Sequence, residues 1–222
     1  MILKRLGKEL LYLKGDFQKE TSIFYFNDDD IRKGKSIMFG PKGTPYEYIP
    51  MEYDIHIKSD YPFTPPSVLY KTNDGNTRFH PNFYIDGKVC LSILGTYTGP
   101  KWASSMNVST VLVSIYSLLT PNPLIHEPAY ENTSITNPKN SQYSQYIEHQ
   151  LIKLFIQSME HNHYKKFMDE DEIFKNEILR NYELLKIKIS EKAKTPETIY
   201  TLLPYSMQGQ TCWRKLAEKI KN

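Results

Sequence analysis

One cysteine and one asparagine form the pair of residues whose types and spacing most suit covalent chemistry. Cys90 follows Asn82 by eight residues, within the segment HPNFYIDGKVCLSILGTYTGPKW at 80–102. A thiol attacks as its thiolate, which is about a few per cent of the population at neutral pH when the pKa is ~8.5. Neither a CxxC motif nor a Lys-Cys-Lys cluster surrounds Cys90 to lower that pKa strongly. The segment therefore suits attack on an already activated acyl group, with the neutral amide of Asn82 as donor to a developing oxyanion.

Four blocks of sequence surround this cysteine in a defined order. They read GPKGTPYE at 40–47, DYPFTPPSV at 60–68, HPN at 80–82 with Cys90 beyond it, and LLTPNP at 118–123, at the end of a stretch that begins with a Trp. Together they resemble the ubiquitin-conjugating enzymes, which accept ubiquitin as a thioester and pass it to lysine. A single short block is expected by chance in many chains, whereas four ordered blocks across most of residues 1–130 are not.

Two other interpretations of Cys90 follow from the residues alone. Most free cysteines in intracellular proteins are small buried hydrophobic groups. A protease-like pair of His80 and Cys90 would need a base within hydrogen-bond reach and a third, orienting group, and the local protease signatures do not occur in the sequence. The resemblance instead implies that Cys90 carries the acyl group and that His80 fixes the turn of the HPN motif.

The resemblance implies an acyl relay in two steps. An activating enzyme hands the C-terminal carbonyl of ubiquitin to Cys90, and a substrate lysine then attacks the thioester, usually with the help of a ligase. The second step needs a neutral amine, although free lysine has a pKa of about 10.4. Thioester chemistry needs no metal, so we expect no cofactor. The expected partners are ubiquitin, the activating enzyme, a ligase and substrate proteins.

Helper groups in this family lie at two points, one just after the cysteine and one after the PNP motif. Ser92 occupies the first point, two residues past Cys90, where relatives often carry Asp. His126 and Glu127 are the candidates for the second, in a segment that departs from the acidic pair common in relatives. The resemblance thus implies supporting roles for Ser92 and for His126 or Glu127, with a solvated loop as the alternative at the second point.

Basic residues near the start of the chain suggest a contact with another protein. Lys4, Arg5 and Lys8 lie off the apolar stripe of a predicted helix over 2–14, although an ordinary solvated face would carry them too. The first helix of this family presents basic residues to an acidic module of the activating enzyme. The resemblance therefore implies that these three residues contact the activating enzyme.

Two loops are the expected contact for ligases of the RING type. The family carries an exposed aromatic residue in one loop, matched by Phe63, and a Trp before the other, matched by Trp102. Many relatives have Pro-Ala shortly after that Trp, whereas this chain has Ser104 and Ser105. Small hydroxyl side chains offer less apolar surface, so we expect a weaker contact with generic RING ligases.

Composition limits the alternatives. The 28 basic residues barely exceed the 25 acidic ones, a bias too weak to indicate nucleic acid. The first residues lack the apolar core of a signal peptide, and the apolar-rich stretch 108–119 is too short to span a membrane. Two cysteines far apart in sequence fit a reducing compartment better than a disulfide framework. We therefore expect an intracellular protein, cytoplasmic, nuclear or both, with no nucleic-acid or membrane partner.

The hydrophobic pattern predicts the elements that position these residues. A first helix has an apolar stripe formed by Leu3, Leu6, Leu10 and Leu13. Short β-prone runs follow, separated by turns rich in Gly, Pro and Asp, at 23–26, 36–39, 52–57 and 68–70. In the third run, apolar residues alternate with Glu52, Asp54 and His56, as in a strand with one buried face. This pattern predicts an antiparallel meander packed on helices.

Helices dominate the rest of the pattern. Asn107 is the expected N-cap of a helix with a nearly continuous apolar face, which the prolines of the PNP motif end. Further helical stripes lie at 142–161, 173–189 and 213–220. The expected fold class is α+β, namely the UBC fold, with an N-terminal helix, a four-stranded antiparallel meander, a central helix and a C-terminal helical extension. We divide the chain into a ubiquitin-conjugating core, 1–165, and the helical extension, 166–222.

Three classes of function are compatible with this sequence. The first is an active ubiquitin-conjugating enzyme. The second is a non-catalytic ubiquitin-binding variant of the same fold, against which the presence of both Cys90 and Asn82 argues. The third is a carrier of another ubiquitin-like modifier, which the sequence separates poorly from the first. The loop at 95–101 is longer than in the smallest relatives, and together with the C-terminal extension it is similar to the larger members of the family.

Overall fold

The computed structural model describes residues 2–15, 22–27 and 29–220, with side chains from residue 4 onward. Leu3, a member of the predicted apolar stripe, therefore lies outside the residues whose side chains are described. The elements that come before the HPN motif are α1 (Ile2–Lys14), β1 (Ile23–Phe26), β2 (Lys33–Phe39), β3 (Pro50–His56) and β4 (Ser67–Tyr70). After it come α2 (Val108–Leu118), α3 (Pro138–Glu160), α4 (Lys165–Glu170), α5 (Glu172–Lys192), β5 (Thr198–Tyr200), β6 (Gly209–Thr211) and α6 (Trp213–Lys219).

The first four strands form one antiparallel sheet in the order β1-β2-β3-β4. This arrangement confirms the predicted α+β fold class and its meander. Both β2 and β3 begin before the β-prone runs in the sequence, because Lys33 and Pro50 at their ends still pair in register with the neighbouring strand. Met51, Tyr53 and Ile55 on one side of β3 are buried, as the alternation predicts.

One residue on the polar side of β3, Glu52, is buried as well, which the alternation does not predict. The carboxylate of Glu52 is buried, since it binds Lys35 of β2 at 2.9 Å and the imidazole of His163 at 2.5 Å. His163 lies in the segment between α3 and α4. An isolated carboxylate would not remain in such a place, because a buried charge needs a partner. Glu52 therefore forms a buried polar contact with the later part of the chain.

The central helix α2 has the N-terminus that the sequence predicts. The side chain of Asn107 accepts from the backbone N–H of Thr110, and the Thr110 hydroxyl accepts from the N–H of Asn107, which together form a capping box. Its apolar face is buried through Val108, Val111, Leu112 and Ile115. The helix ends at Leu118, so its last carbonyls are without partners inside the helix. One of them becomes part of the site.

The C-terminal extension packs on the sheet. Phe174 of α5 is fully buried, and its ring lies 6.2 Å from that of Tyr25 in β1 and 6.0 Å from that of Phe39 in β2, between centroids. The carboxylate of Glu148 on α3 binds the ammonium groups of Lys188 and Lys192 on α5. The expected C-terminal helices are therefore confirmed, and their apolar stripes join the same hydrophobic core as the sheet.

A two-stranded hairpin within the extension differs from the purely helical expectation. The strands β5 and β6 pair antiparallel, with Thr198 opposite Thr211 and Tyr200 opposite Gly209. Strands of three residues are too short to show a period-two alternation in the sequence. Gly209 lies directly against α3, where a Cβ atom would come within 2.7 Å of the Tyr146 hydroxyl. The hairpin is thus held against α3 by close packing.

The burial of Phe174 generates a stability prediction. Phe174→Ala should lower the free energy of unfolding by about 3–5 kcal/mol, because it empties a fully enclosed aromatic site. Its neighbour Ile173, which is 66% exposed, is the matched control, and Ile173→Ala should change the free energy by less than about 0.5 kcal/mol. Denaturant unfolding followed by circular dichroism measures both. Equal effects would show that α5 is not part of the core.

Candidate active site

Two hydrogen bonds hold Asn82 and Cys90 face to face. The N–H of Cys90 donates to the backbone carbonyl of Asn82 at 2.8 Å, and the side-chain amide of Asn82 donates to the carbonyl of Cys90 at 2.7 Å. Between them the chain reverses at Gly87, whose φ of 90° favours glycine. Cys90 is 5% exposed. The spacing of eight residues is therefore the length of a closed loop that brings the amide to the cysteine.

The imidazole of His80 fixes the start of this loop. Its Nδ1 accepts from the N–H of Asn82 at 2.9 Å, so Nε2 carries the proton and donates to the carbonyl of Leu118 at 3.0 Å. The carbonyl is one of those left open at the end of α2. Both ring nitrogens are therefore engaged in the scaffold, and His80 is not placed to act as the base of a protease-like pair.

Burial keeps His80 neutral. The ring is fully enclosed, and burial, followed by the neighbouring His126, lowers the pKa of His80 well below its ordinary value of 6.5. Below pH 6.5 the imidazole of His80 binds a proton in the unfolded chain but stays neutral in the folded chain. The contribution of His80 to the free energy of unfolding should then fall by about 1.4 kcal/mol for each unit by which the pH is lowered, until folded His80 itself titrates.

The amide of Asn82 retains unused hydrogen-bonding capacity. Its side chain is 8% exposed, and one N–H is engaged with the carbonyl of Cys90. An amide nitrogen carries two hydrogens. The second one makes no hydrogen bond to another described residue. Oδ1 of Asn82 is buried and has no hydrogen-bond partner among the described residues.

A threonine in the longer loop clamps the backbone on both sides of Cys90. The hydroxyl of Thr96 donates to the carbonyl of Val89 at 2.6 Å and accepts from the N–H of Leu91 at 2.9 Å. The loop returns to this point through a short 3-10 turn, Ser92–Leu94, which ends at Gly95 with a φ of 72°. The motifs in the sequence do not include Thr96. The only signal for it is the length of the loop in which it lies.

The two candidate helper points have different surroundings. Ser92 is half-buried at the start of the 3-10 turn, and the loop closes over it so tightly that a Cβ on Gly99 would come within 3.0 Å of its own Cβ. The ring of His126 packs on that of His80, with 5.2 Å between centroids. Burial lowers the pKa of His126, so it is neutral at physiological pH. Glu127 accepts a hydrogen bond from the hydroxyl of Tyr205 at 2.6 Å.

The sequence block at 40–47 supports the HPN motif through a buried contact. Gly40 lies so close to the chain at Tyr46 that a Cβ would come within 1.9 Å of the Tyr46 carbonyl oxygen, which excludes any side chain there. The phenol of Tyr46, itself fully buried, then donates to the carbonyl of Phe79 at 2.8 Å. The residue before His80 is thereby fixed. This contact explains why the block accompanies the HPN motif.

Arg5 differs from the two lysines with which the sequence groups it. Its guanidinium binds Glu9 at 2.8 Å and donates to the carbonyl of Ser104 at 2.7 Å and to that of Met106 at 2.5 Å. Lys4 and Lys8 are exposed. Arg5 therefore ties α1 to the loop that follows Trp102, while the two lysines face solvent.

The residues expected at the ligase contact lie on one part of the surface. Phe63 is 71% exposed. The indole N–H of Trp102 donates to the carbonyl of Pro62 at 2.7 Å and so joins the two loops. Ser104 and Ser105 are both exposed. The structure thus brings together the residues that the resemblance assigns to one surface.

The described residues hold no cluster of three His, Cys, Asp or Glu side chains arranged to bind a metal ion. A groove of about 760 Å³ lies on the outer face of the sheet, along β1, β2 and α4. Neither Asn82 nor Cys90 lines it. The groove therefore lies apart from the Asn82–Cys90 pair.

Known proteins are similar in sequence to the part of the chain that builds the site. The family described as ubiquitin-conjugating enzyme matches residues 5–151. The human protein named ubiquitin-conjugating enzyme E2 Z is 43% identical over 132 residues, which cover 59% of this chain and 37% of that protein. A Caenorhabditis elegans protein named probable ubiquitin-conjugating enzyme protein 17 is 33% identical over 190 residues, or 79% of this chain and 26% of its own length. The chain thus spans well under half the length of these curated relatives.

A solved structure supports the same relationship. The E2 domain of a ubiquitin conjugating enzyme from Toxoplasma gondii is 27% identical, with a TM-score of 0.52 over 67% of this chain and 94% of that chain. This match confirms the predicted UBC fold. Human BIRC6, named as a dual E2 ubiquitin-conjugating enzyme/E3 ubiquitin-protein ligase, is 38% identical over 150 residues, or 64% of this chain and 3% of BIRC6.

The clamp at Thr96 generates a prediction about the cysteine. Thr96→Val should lower the free energy of unfolding by about 1–3 kcal/mol, because two half-buried backbone groups lose their partner. It should also speed alkylation of Cys90 by iodoacetamide, measured by mass spectrometry in a Cys212→Ser background. Thr98→Val, at an exposed position of the same loop, is the control. Unchanged alkylation and stability would mean that Thr96 does not fix the backbone at Cys90.

Proposed function

This chain belongs to the ubiquitin-conjugating enzyme family, and we propose that it accepts ubiquitin as a thioester on Cys90 and transfers it to lysine. The observation that carries the proposal is the closed loop in which Asn82 and Cys90 bind each other's backbone. The names of the relatives favour ubiquitin over another modifier. Both Asn82 and Cys90 are present, which favours a catalytic protein over a non-catalytic variant.

In the first step the sulfur of Cys90 attacks the thioester that joins ubiquitin to the activating enzyme. A new bond forms between this sulfur and the carbonyl carbon of ubiquitin, the old carbon–sulfur bond breaks, and the proton of Cys90 ends on the departing thiol or in solvent. A free cysteine is required, and Cys90 is free. Attack on a thioester needs no leaving-group protonation, which fits a site where His80 is engaged on both ring nitrogens.

In the second step a lysine amine attacks the thioester on Cys90. The carbonyl oxygen of ubiquitin becomes negatively charged in the tetrahedral intermediate, and the second N–H of Asn82 is the proposed donor to it. Glu127 and His126 are the proposed polar neighbours of the incoming ammonium. Removal of the amine from water and a nearby acceptor would both favour the neutral amine that attacks. Ser92 is the proposed polar group on the side after the cysteine.

The activating enzyme is the first proposed partner, and α1 is the proposed contact. Lys4 and Lys8 are exposed, as a contact with an acidic module requires. The guanidinium of Arg5 donates its hydrogen bonds within the chain. We therefore propose that Arg5 supports the contact with the activating enzyme only indirectly, because it anchors α1. Charge reversal at Lys4 and Lys8 is the test, and it should slow charging in a salt-dependent way, since exposed charges act mainly on association rate.

A ligase is the second proposed partner, with substrate proteins beyond it. Phe63 offers an exposed ring, and Trp102 fixes the neighbouring loop to it. Ser104 and Ser105 offer little apolar surface. We therefore propose that generic RING ligases stimulate this protein weakly, and that Phe63→Ala removes such stimulation while charging persists.

The place of action is a further proposal. None of the helices in the described part of the chain has the length and apolar character needed to cross a lipid bilayer. Both cysteines are free, which suits a reducing compartment. We propose an intracellular site of action, cytoplasmic, nuclear or both.

The two cysteines allow a direct test of the thioester. With ATP, ubiquitin and each of the two known ubiquitin-activating enzymes in turn, the wild type should form an adduct that reductant removes. Cys90→Ser should form only a reductant-resistant ester, because a serine oxygen gives an ester that thiols attack slowly. Cys212→Ser is the matched control and should behave as the wild type. The proposal fails if the Cys212 variant loses the adduct while Cys90→Ser keeps a reductant-sensitive one.

Asn82→Ala separates the two steps. Discharge of a preformed thioester to free lysine should slow by about 10²–10³, the cost of one lost oxyanion donor in other enzymes. Charging should persist, because the loop keeps the hydrogen bond from the Cys90 N–H to the Asn82 carbonyl. Single-turnover gels measure both rates, and denaturant unfolding reports the loss of the bond to Cys90. Equal slowing of charging and discharge would show that Asn82 acts only on local structure.

A further inference from the structure

A tight turn in the C-terminal extension reaches back to the active-site loop. The turn at 203–207 connects β5 to β6 and is closed by a hydrogen bond from the N–H of Leu203 to the carbonyl of Met207 at 2.9 Å. Leu203 and Met207 are buried at its two ends. Between them Tyr205 has a φ of 63° and Ser206 a φ of 55°. Residues other than glycine rarely adopt such values, so the contacts of Tyr205 must hold it there.

The strongest of these contacts goes to Glu127. The phenol of Tyr205 donates to Oε2 of Glu127 at 2.6 Å, a short charge-assisted hydrogen bond. Burial, followed by Tyr143 and the carboxylate of Glu127, raises the pKa of Tyr205 above its ordinary value of 10. Tyr205 therefore remains a donor at every physiological pH. Its hydroxyl fixes one oxygen of the only carboxylate that the sequence places at the second helper point.

The second contact goes to Arg78, two residues before the HPN motif. The guanidinium carbon of Arg78 lies 5.0 Å from the centroid of the Tyr205 ring and 3.3 Å from that of the Tyr84 ring. From this position the guanidinium donates to the carbonyl of His80 at 3.1 Å and to that of Pro81 at 2.5 Å. Arg78 thus holds the two residues that precede Asn82, and aromatic rings hold Arg78.

The backbone of Arg78 joins the same assembly. Its N–H approaches the sulfur of Met207 at 3.2 Å, and its carbonyl accepts from the phenol of Tyr143 on α3 at 2.7 Å. The turn therefore meets the segment before Asn82 through both the side chain and the backbone of one residue. A contiguous set of contacts runs from Tyr205 through Arg78 to Asn82 and Cys90.

We infer that Tyr205 and Arg78 are positioning residues for the transfer step, through which the C-terminal extension completes the active site. Tyr205 orients Glu127 toward the incoming amine, and Arg78 keeps the HPN turn in the shape that presents the Asn82 amide to Cys90. The inference rests on the proposed function. It adds to that function two residues outside the motifs by which the family is identified, one of them in the extension.

The hairpin has other anchors, which makes a narrow test possible. The phenol of Tyr146 donates to the carbonyl of Gln208 at 3.2 Å, and the N–H of Cys212 donates to His149 at 3.1 Å. Neither contact involves Tyr205. Tyr205→Phe removes one hydroxyl and leaves the ring beside Arg78, so the hairpin should stay in place. Tyr200→Phe removes a hydroxyl from the same hairpin, where it donates to Gln145 at 3.3 Å, and is the matched control.

The experiment charges each full-length variant with ubiquitin and then follows discharge to free lysine. Tyr205→Phe should charge within about twofold of the wild type but discharge about tenfold more slowly, because misplacing a helper group by about 1 Å costs up to ~10² in rate. Tyr200→Phe should match the wild type in both rates.

Two further variants identify the route of the effect. Arg78→Lys keeps the charge but cannot donate to two carbonyls from one planar group, and it should also slow discharge more than charging. Combining Tyr205→Phe with Glu127→Gln should give a discharge rate no lower than that of Glu127→Gln alone, because both changes act on one contact. Additive losses would overturn the role assigned to Tyr205.

The outcomes separate this inference from the function on which it rests. A Tyr205→Phe protein that charges and discharges as the wild type does would overturn the inference and leave the proposed function intact. A wild type that forms no adduct on Cys90 would overturn both. Equal losses of discharge rate for Tyr205→Phe and Tyr200→Phe would show that the turn contributes only packing, and would also overturn the inference.

Discussion

The neutral imidazole of His80 joins the end of α2 to the loop that carries the cysteine. One nitrogen must donate and the other must accept, because the Leu118 carbonyl and the Asn82 N–H each offer only one kind of partner. A protonated ring would have two donors and would leave the Asn82 N–H without an acceptor. Full burial prevents this, since a charged imidazole there would lose its hydration. The core around His80 therefore determines the geometry at Cys90.

Much of this arrangement could be predicted from sequence because its causes are local. The capping residue Asn107 and the buried apolar side of β3 each depend on neighbours close in the chain, and each is found as expected. Other features depend on residues far apart. Tyr205 meets Glu127 across 78 residues of sequence, and His163 meets Glu52 across 111. No local sequence pattern predicts such long-range pairs.

Two residues also show why type and position alone can mislead. Arg5 has the charge and helix position of a contact residue, yet three of its hydrogen bonds remain inside the molecule. Glu52 lies on the polar side of a strand, yet it is buried. In both cases a long-range partner, absent from the local sequence, decides what the side chain does. The division at 165/166 stays a proposal from the sequence, and Phe174 beyond it belongs to the same hydrophobic core as Tyr53.

The packing of Phe174 on the sheet has a consequence for folding during synthesis. Its ring meets that of Tyr25, which leaves the ribosome about 150 residues earlier. At a synthesis rate of about 5–20 residues per second, this interval lasts about 7–30 s. Throughout it the outer face of the sheet has no covering helix, and exposed apolar strands are the surfaces on which nascent chains associate. The segment that carries Cys90 is thus translated before the helix that covers its sheet, and the sheet stays open to association until α5 has been made.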